Sequence, residues 1–89
     1  MDQTGWNEFR QAILECKNPE DLDVFLDIFL TISEKEAIMR RYVLVKELLI
    51  SQKTHREIAK KLNVSIANVT RAANLIKLRK SDIENIILK

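Results

Sequence analysis

Apolar residues recur along this chain at helical rather than strand spacing. Near the start, Trp6, Phe9, Ile13 and Cys16 stand at i, i+3, i+7 and i+10, one stripe of a helix. A tryptophan on such a stripe is expected in the core. The next segment, DLDVFLDIFLTI, is apolar over most of its circumference, with Leu22, Val24, Phe25, Leu26, Ile28, Phe29 and Leu30. A third, YVLVKELLI (Tyr42 to Ile50), is again apolar on more than one side. A helix apolar all round must be covered all round. A chain of 89 residues has too few helices to do that for itself. The pattern predicts that a second copy covers the first three helices, and C2 is the commonest symmetry for such a homodimer.

Polar residues mark where the helices start. Asn18-Pro19-Glu20-Asp21 supplies an N-cap, a proline at the first helical position and acids in the first turn. Ser33-x-x-Glu36, Thr54-x-x-Glu57 and Ser81-x-x-Glu84 read as capping boxes, and Ser65 as a plain N-cap. With the N-terminal segment this predicts six helices, roughly 3–17, 19–30, 34–51, 55–62, 66–78 and 82–88. One Gly and one Pro in the chain argue against a β-protein with many tight turns. The expectation is an all-α single domain over 1–89. A dimerisation core (1–51) is followed by a helix-turn-helix (54–78) and a C-terminal helix (81–89).

The stretch THREIAKKLNVSIANVTRAAN, residues 54–74, carries the helix-turn-helix pattern. Ile58 and Leu62 point inward from its first helix, and Ala59 is small where the second must cross. Asn63 stands at the turn, where a left-handed backbone is common and Asn tolerates it. Val64 plugs the turn. Val69, Ala72 and Ala73 face back to the first helix. An ordinary αα-hairpin shares this pattern, so charge matters. Residues 1–50 carry six Lys/Arg against ten Asp/Glu, a net −4. Residues 51–80 carry eight against one, a net +7. A basic block on a helix-turn-helix points to DNA.

In this motif the second helix enters the major groove with its N-terminal residues leading. Here these are Ile66, Ala67, Asn68 and Thr70. An Asn pairs bidentately with adenine, and Ile or Ala touches a thymine methyl. Arg56 reaches a guanine edge or a phosphate. Lys60, Lys61, Asn74, Lys77, Arg79 and Lys80 are expected on phosphates, which position the protein without reading sequence.

The stretches LTISEKEAIMRRYVLVKELL and THREIAKKLNVSIANVTRAANLIK resemble the tryptophan repressor family, from about Phe25 to Lys77 without a gap. Leu30-Thr31, Arg41, Thr70-Arg71 and Asn74 match its motifs. The resemblance implies a six-helix fold whose first three helices interlace between two subunits, and a DNA operator as partner. It also implies L-tryptophan as co-repressor, one per subunit. Arg41 and Arg71 would stack on the two faces of the indole, Thr31 would offer a hydroxyl, and the carbonyls of Ile28 and Leu30 would receive the ammonium. Such stacking suits a guanidinium plane, which also forks onto carboxylates. Three positions depart from the family. Ala72 replaces a Gly, placing a methyl near the indole floor. Leu75 replaces a Ser that helps hold the ammonium, and Leu accepts no hydrogen bond. Ile32 replaces the proline that opens the third helix.

The sequence therefore supports a homodimeric repressor of a palindromic operator, gated by tryptophan or another indole. Two alternatives stay open: a DNA binder of the same fold that needs no ligand, and a helical dimerisation module binding an acidic protein. An enzyme is not expected. His55 is the single histidine, and there is neither Cys/His metal spacing nor a Gly-rich phosphate loop. With one cysteine, no signal segment and no apolar run of about 20 residues, the expectation is a cytoplasmic protein without a membrane partner or cofactor.

Overall fold

The structure is a computed structural model that describes residues 2–88. Its regular elements are α1 (Thr4–Glu15), α2 (Pro19–Phe29), α3 (Ile32–Ile50), α4 (His55–Leu62), α5 (Ile66–Leu78) and α6 (Lys80–Ile87). No strand occurs among the described residues. The last position of the expected C-terminal helix, Lys89, lies outside them. By its contacts the chain divides into two compact units, Met1–Lys35 and Glu36–Lys89.

In the first unit α2 starts as its residues dictate. Asn18 Oδ1 accepts from the Asp21 N–H at 2.8 Å, Pro19 follows, and Glu20 and Asp21 sit in the first turn. Four aromatic rings hold the two helices together. Phe9 lies 5.4 Å from Phe25 and 5.4 Å, edge-on, from Phe29, and Trp6 stacks on Phe9 at 5.9 Å. None of these residues is buried, and Trp6 remains 58% exposed. The core position expected for Trp6 is thus not reached within one chain. Two short helices cover one side of a ring and leave the other bare.

Helix α3 starts two residues earlier than expected. The cap is Thr31, not Ser33: Thr31 Oγ1 accepts from the Glu34 N–H at 3.1 Å, and Glu34 Oε1 accepts from the Thr31 N–H at 2.8 Å. Thr31-x-x-Glu34 is the same reciprocal box one half-turn upstream of the Ser33 box. The Thr31 N–H also holds the Glu34 carboxyl below the ordinary carboxylate value. An ion pair between Lys35 and Asp27 ties this first turn back to α2.

The second unit has a true core. Leu44 of α3, Ile58 and Ala59 of α4, and Val69 of α5 form its buried cluster, with Leu48, Leu62, Val64 and Ala72 packed against it. Ile58 and Val69 are 1% and 0% exposed. Ala73 and Ile76 extend the buried side of α5. Helix α6 also starts earlier than expected, and the Ser81–Glu84 box does not form. Arg79 ends α5 and caps α6 at once, with φ −130° and ψ 29°, so the bend consumes one residue. Its Nε donates to Asp82 Oδ2 at 3.0 Å across the new first turn.

Candidate functional site

The two short helices of the second unit are built by their end chemistry. Thr54 and Glu57 make a complete capping box at the start of α4, with distances of 2.9 and 3.1 Å. The backbone hydrogen bond from Thr54 lowers the Glu57 pKa. Asn63 ends the helix in the left-handed region, φ 56° and ψ 48°, the single non-glycine with positive φ among the described residues. Its N–H and that of Val64 close onto Lys60 and Ala59 carbonyls at 3.3 and 3.0 Å. The turn then delivers Ser65, whose Oγ accepts from the Asn68 N–H at 3.0 Å and starts α5.

With Val69, Ala73 and Ile76 buried, the opposite side of α5 is left to solvent. Ile66, Ala67, Asn68, Thr70, Arg71, Asn74 and Lys77 of α5 are all exposed, as is Arg56 on α4. Every residue expected to meet DNA is therefore at the surface of one unit. Two of the expected phosphate cations are engaged within the chain. Lys61 Nζ donates to Glu47 Oε1 at 2.9 Å, joining α4 to α3. This bond lowers the Glu47 pKa and raises that of Lys61. Arg79 is held by Asp82.

Behind the reading helix lies a cavity of about 440 Å³. From α3 it receives Ala37, Arg40, Arg41, Leu44 and Val45. Val64 of the turn also lines it, and α5 supplies Asn68, Arg71, Ala72, Leu75 and Ile76. Ile83 of α6 completes the lining. Arg41 and Arg71, far apart in sequence, are thus brought to one space, together with the two departing positions Ala72 and Leu75. Ile28, Leu30 and Thr31 belong to the first unit. Ile28 is in the last turn of α2 and Leu30 is its C-cap, where helix carbonyls lack intrahelical partners. The Thr31 oxygen already accepts the α3 cap bond.

Sequence reasoning missed Ala37, Arg40 and Val45. Their signal was available: with Arg41 and Leu44 they recur at i, i+3, i+4, i+7 and i+8, one face of α3. Ile83 had no such signal, because its approach depends on the bend at Arg79. One further contact was missed. Arg71 Nη1 donates to Asn68 Oδ1 at 2.9 Å, joining two cavity residues one turn apart.

An all-helical chain whose basic helix-turn-helix backs onto an arginine-lined cavity defines a DNA-binding regulator of the helix-turn-helix class. Its sequence relatives narrow that class. The family model described as Trp repressor protein matches residues 4–89. A Trp operon repressor homolog of Chlamydia caviae is 41% identical over 76 residues, spanning 85% of this chain and 75% of that protein. One from Chlamydia trachomatis serovar D is 34% identical, spanning 86% and 82%. One from Photobacterium profundum is 36% identical, spanning 91% and 79%. No solved structure matches the chain. The chain belongs to the Trp repressor family, a family of regulatory DNA-binding proteins that act as transcriptional repressors. Among the described residues no helix is long and apolar enough to cross a membrane, and no acid, His or Cys cluster could hold a metal.

Proposed function

We propose that this chain is a homodimeric repressor that binds a palindromic operator in the cytoplasm and is gated by L-tryptophan or a related indole. The observation that carries the reading is the convergence of Arg41 and Arg71 on one cavity that Asn68 of the reading helix also lines. A planar aromatic carboxylate meets stacking and charge from such a pair. A ligand wedged there would fix the attitude of α5. In a dimer it would set two reading helices one DNA turn apart, about 34 Å. It must bind the DNA-competent state more tightly than the other, or it shifts nothing. On the family resemblance, the carbonyls of Ile28 and Leu30 would receive the ligand's ammonium and Thr31 would offer a hydroxyl.

The dimer rests on α1 to α3. Val24, Ile28, Phe29, Ile38, Tyr42 and Val43 are each 47–70% exposed in one chain, and large apolar groups left bare in this way mark interaction surfaces. The test of the function is operator affinity, by fluorescence anisotropy, with and without millimolar L-tryptophan, beside calorimetry of tryptophan with the protein alone. Tighter operator binding with a measurable heat supports the reading. Identical affinities and no heat favour a repressor that needs no ligand. One observation favours that second reading: Ala72 and Leu75 turn a methyl and an isobutyl group to the cavity where the family has Gly and Ser.

A further inference from the structure

The Arg71–Asn68 hydrogen bond joins an arginine of the cavity to an asparagine that the sequence assigns to base reading. Its two ends serve different chemistry. To pair with adenine, an Asn amide must accept from N6–H through Oδ1 and donate to N7 through Nδ2. In the structure Oδ1 already accepts from Arg71 Nη1 at 2.9 Å, so the amide is turned towards the guanidinium. Both side chains line the same 440 Å³ cavity. No carboxylate lines it among the described residues, so Arg71 finds no acid partner there. A carboxylate is a stronger acceptor for guanidinium than a neutral amide.

We propose that Asn68 is a ligand-controlled specificity residue: the carboxylate of a ligand in the cavity takes Arg71 away from Asn68 and frees the amide to pair with an adenine. This rests on the DNA-binding and ligand-gating reading above and adds what the gating changes. The ligand alters which operator is read, not only how tightly. Ligand and Asn68 compete for one guanidinium, so the scheme fixes the direction of two effects. The ligand sharpens discrimination at one A·T pair, and loss of the Asn68 amide tightens the ligand.

The test uses the full-length protein, an operator recovered by selection from random DNA, and that operator's single-base variants. The probes are L-tryptophan, indole-3-propionate and L-tryptophanamide. For the parent protein, the two carboxylates should raise discrimination at one A·T position by about five- to hundred-fold. Tryptophanamide, which lacks the carboxylate, should not. With Asn68→Ala, discrimination at that position should no longer respond to ligand. Calorimetry should then show both carboxylates binding about two- to tenfold tighter. The Ser65 cap takes the backbone of residue 68, so circular dichroism should show α5 intact in the variant. Discrimination that is equal with and without the carboxylates would overturn the coupling and leave gating in place. So would unchanged or weaker carboxylate binding by Asn68→Ala. No heat from any probe would overturn the gating reading and this proposal together.

Discussion

The two units of this chain spend their apolar residues differently. Among the described residues all six buried side chains, Leu44, Ile58, Ala59, Val69, Ala73 and Ile76, belong to Glu36–Lys89. Met1–Lys35 carries Trp6, Phe9, Phe25 and Phe29 in mutual contact and buries none of them. The charges divide too. The first unit holds three Lys/Arg against eight Asp/Glu, the second twelve against five. One unit closes a small core with Ala and Val at a helix crossing and turns its basic side outward. The other shows large apolar groups and acids. Small residues let two short helices cover each other, whereas large ones on every side need more surface than the chain owns.

The sharpest break of this comparison is Ile58→Ala. If the second unit stands on its own core, the change should cost about 2–5 kcal/mol in urea unfolding. A loss below 1 kcal/mol would mean that the core is not what holds it. Phe29→Ala tests the other side. Its effect should appear in assembly: sedimentation should show a larger monomer fraction at micromolar concentration. The parent's unfolding midpoint should rise with protein concentration. A monomeric mass with helicity retained would show that the exposed apolar residues of α1, α2 and α3 need no second copy.

Leu75→Ser sharpens the comparison at the cavity. A hydrogen bond to a charged group contributes about 1.5–3 kcal/mol. The change should therefore tighten L-tryptophan about ten- to hundred-fold and leave indole-3-propionate unchanged. If it does not, the Ala72 methyl closes the slot, and Ala72→Gly should be needed with it. Thr54→Ala removes the α4 cap and should cost about 1 kcal/mol, read from the same urea curves.

The smallest effect is acid sensitivity. The hydrogen bond from Lys61 lowers the Glu47 pKa from its ordinary 4.5. Its contribution is fully present above that value and is lost as pH falls through the lowered one. The raised Lys61 pKa gives the opposite limb, with loss only as pH rises above 10.5. Lys61→Met should therefore flatten the fall of the urea midpoint below pH 4.5 and change little near neutrality. An unaltered acid limb would assign the loss to the capping carboxylates Glu34 and Glu57, whose pKa values are also lowered.

Local chemistry made much of the fold legible in advance. The helix-turn-helix was readable residue by residue, because Thr54, Asn63 and Ser65 each act within three or four positions of themselves. Their caps and turn stand where the pattern put them. The starts of α3 and α6 were misplaced. Thr31-x-x-Glu34 competes with Ser33-x-x-Glu36 on equal local terms, and Arg79 bends the backbone without a side-chain cap.

The sequence by itself determined the all-α class, the number of helices, the basic head and the apolar excess of α2 and α3. These follow from periodicity and charge, which each residue carries wherever it lies. Only the tertiary structure decided that Arg40, Arg41, Arg71 and Ile83 meet around one cavity, that Lys61 turns to Glu47, and that Arg71 holds Asn68. Helical spacing fixes which side of a helix a residue occupies. The angle at which α3, α4 and α5 cross comes from packing Leu44, Ile58, Ala59 and Val69 together, and that angle decides which exposed groups come within reach of one another.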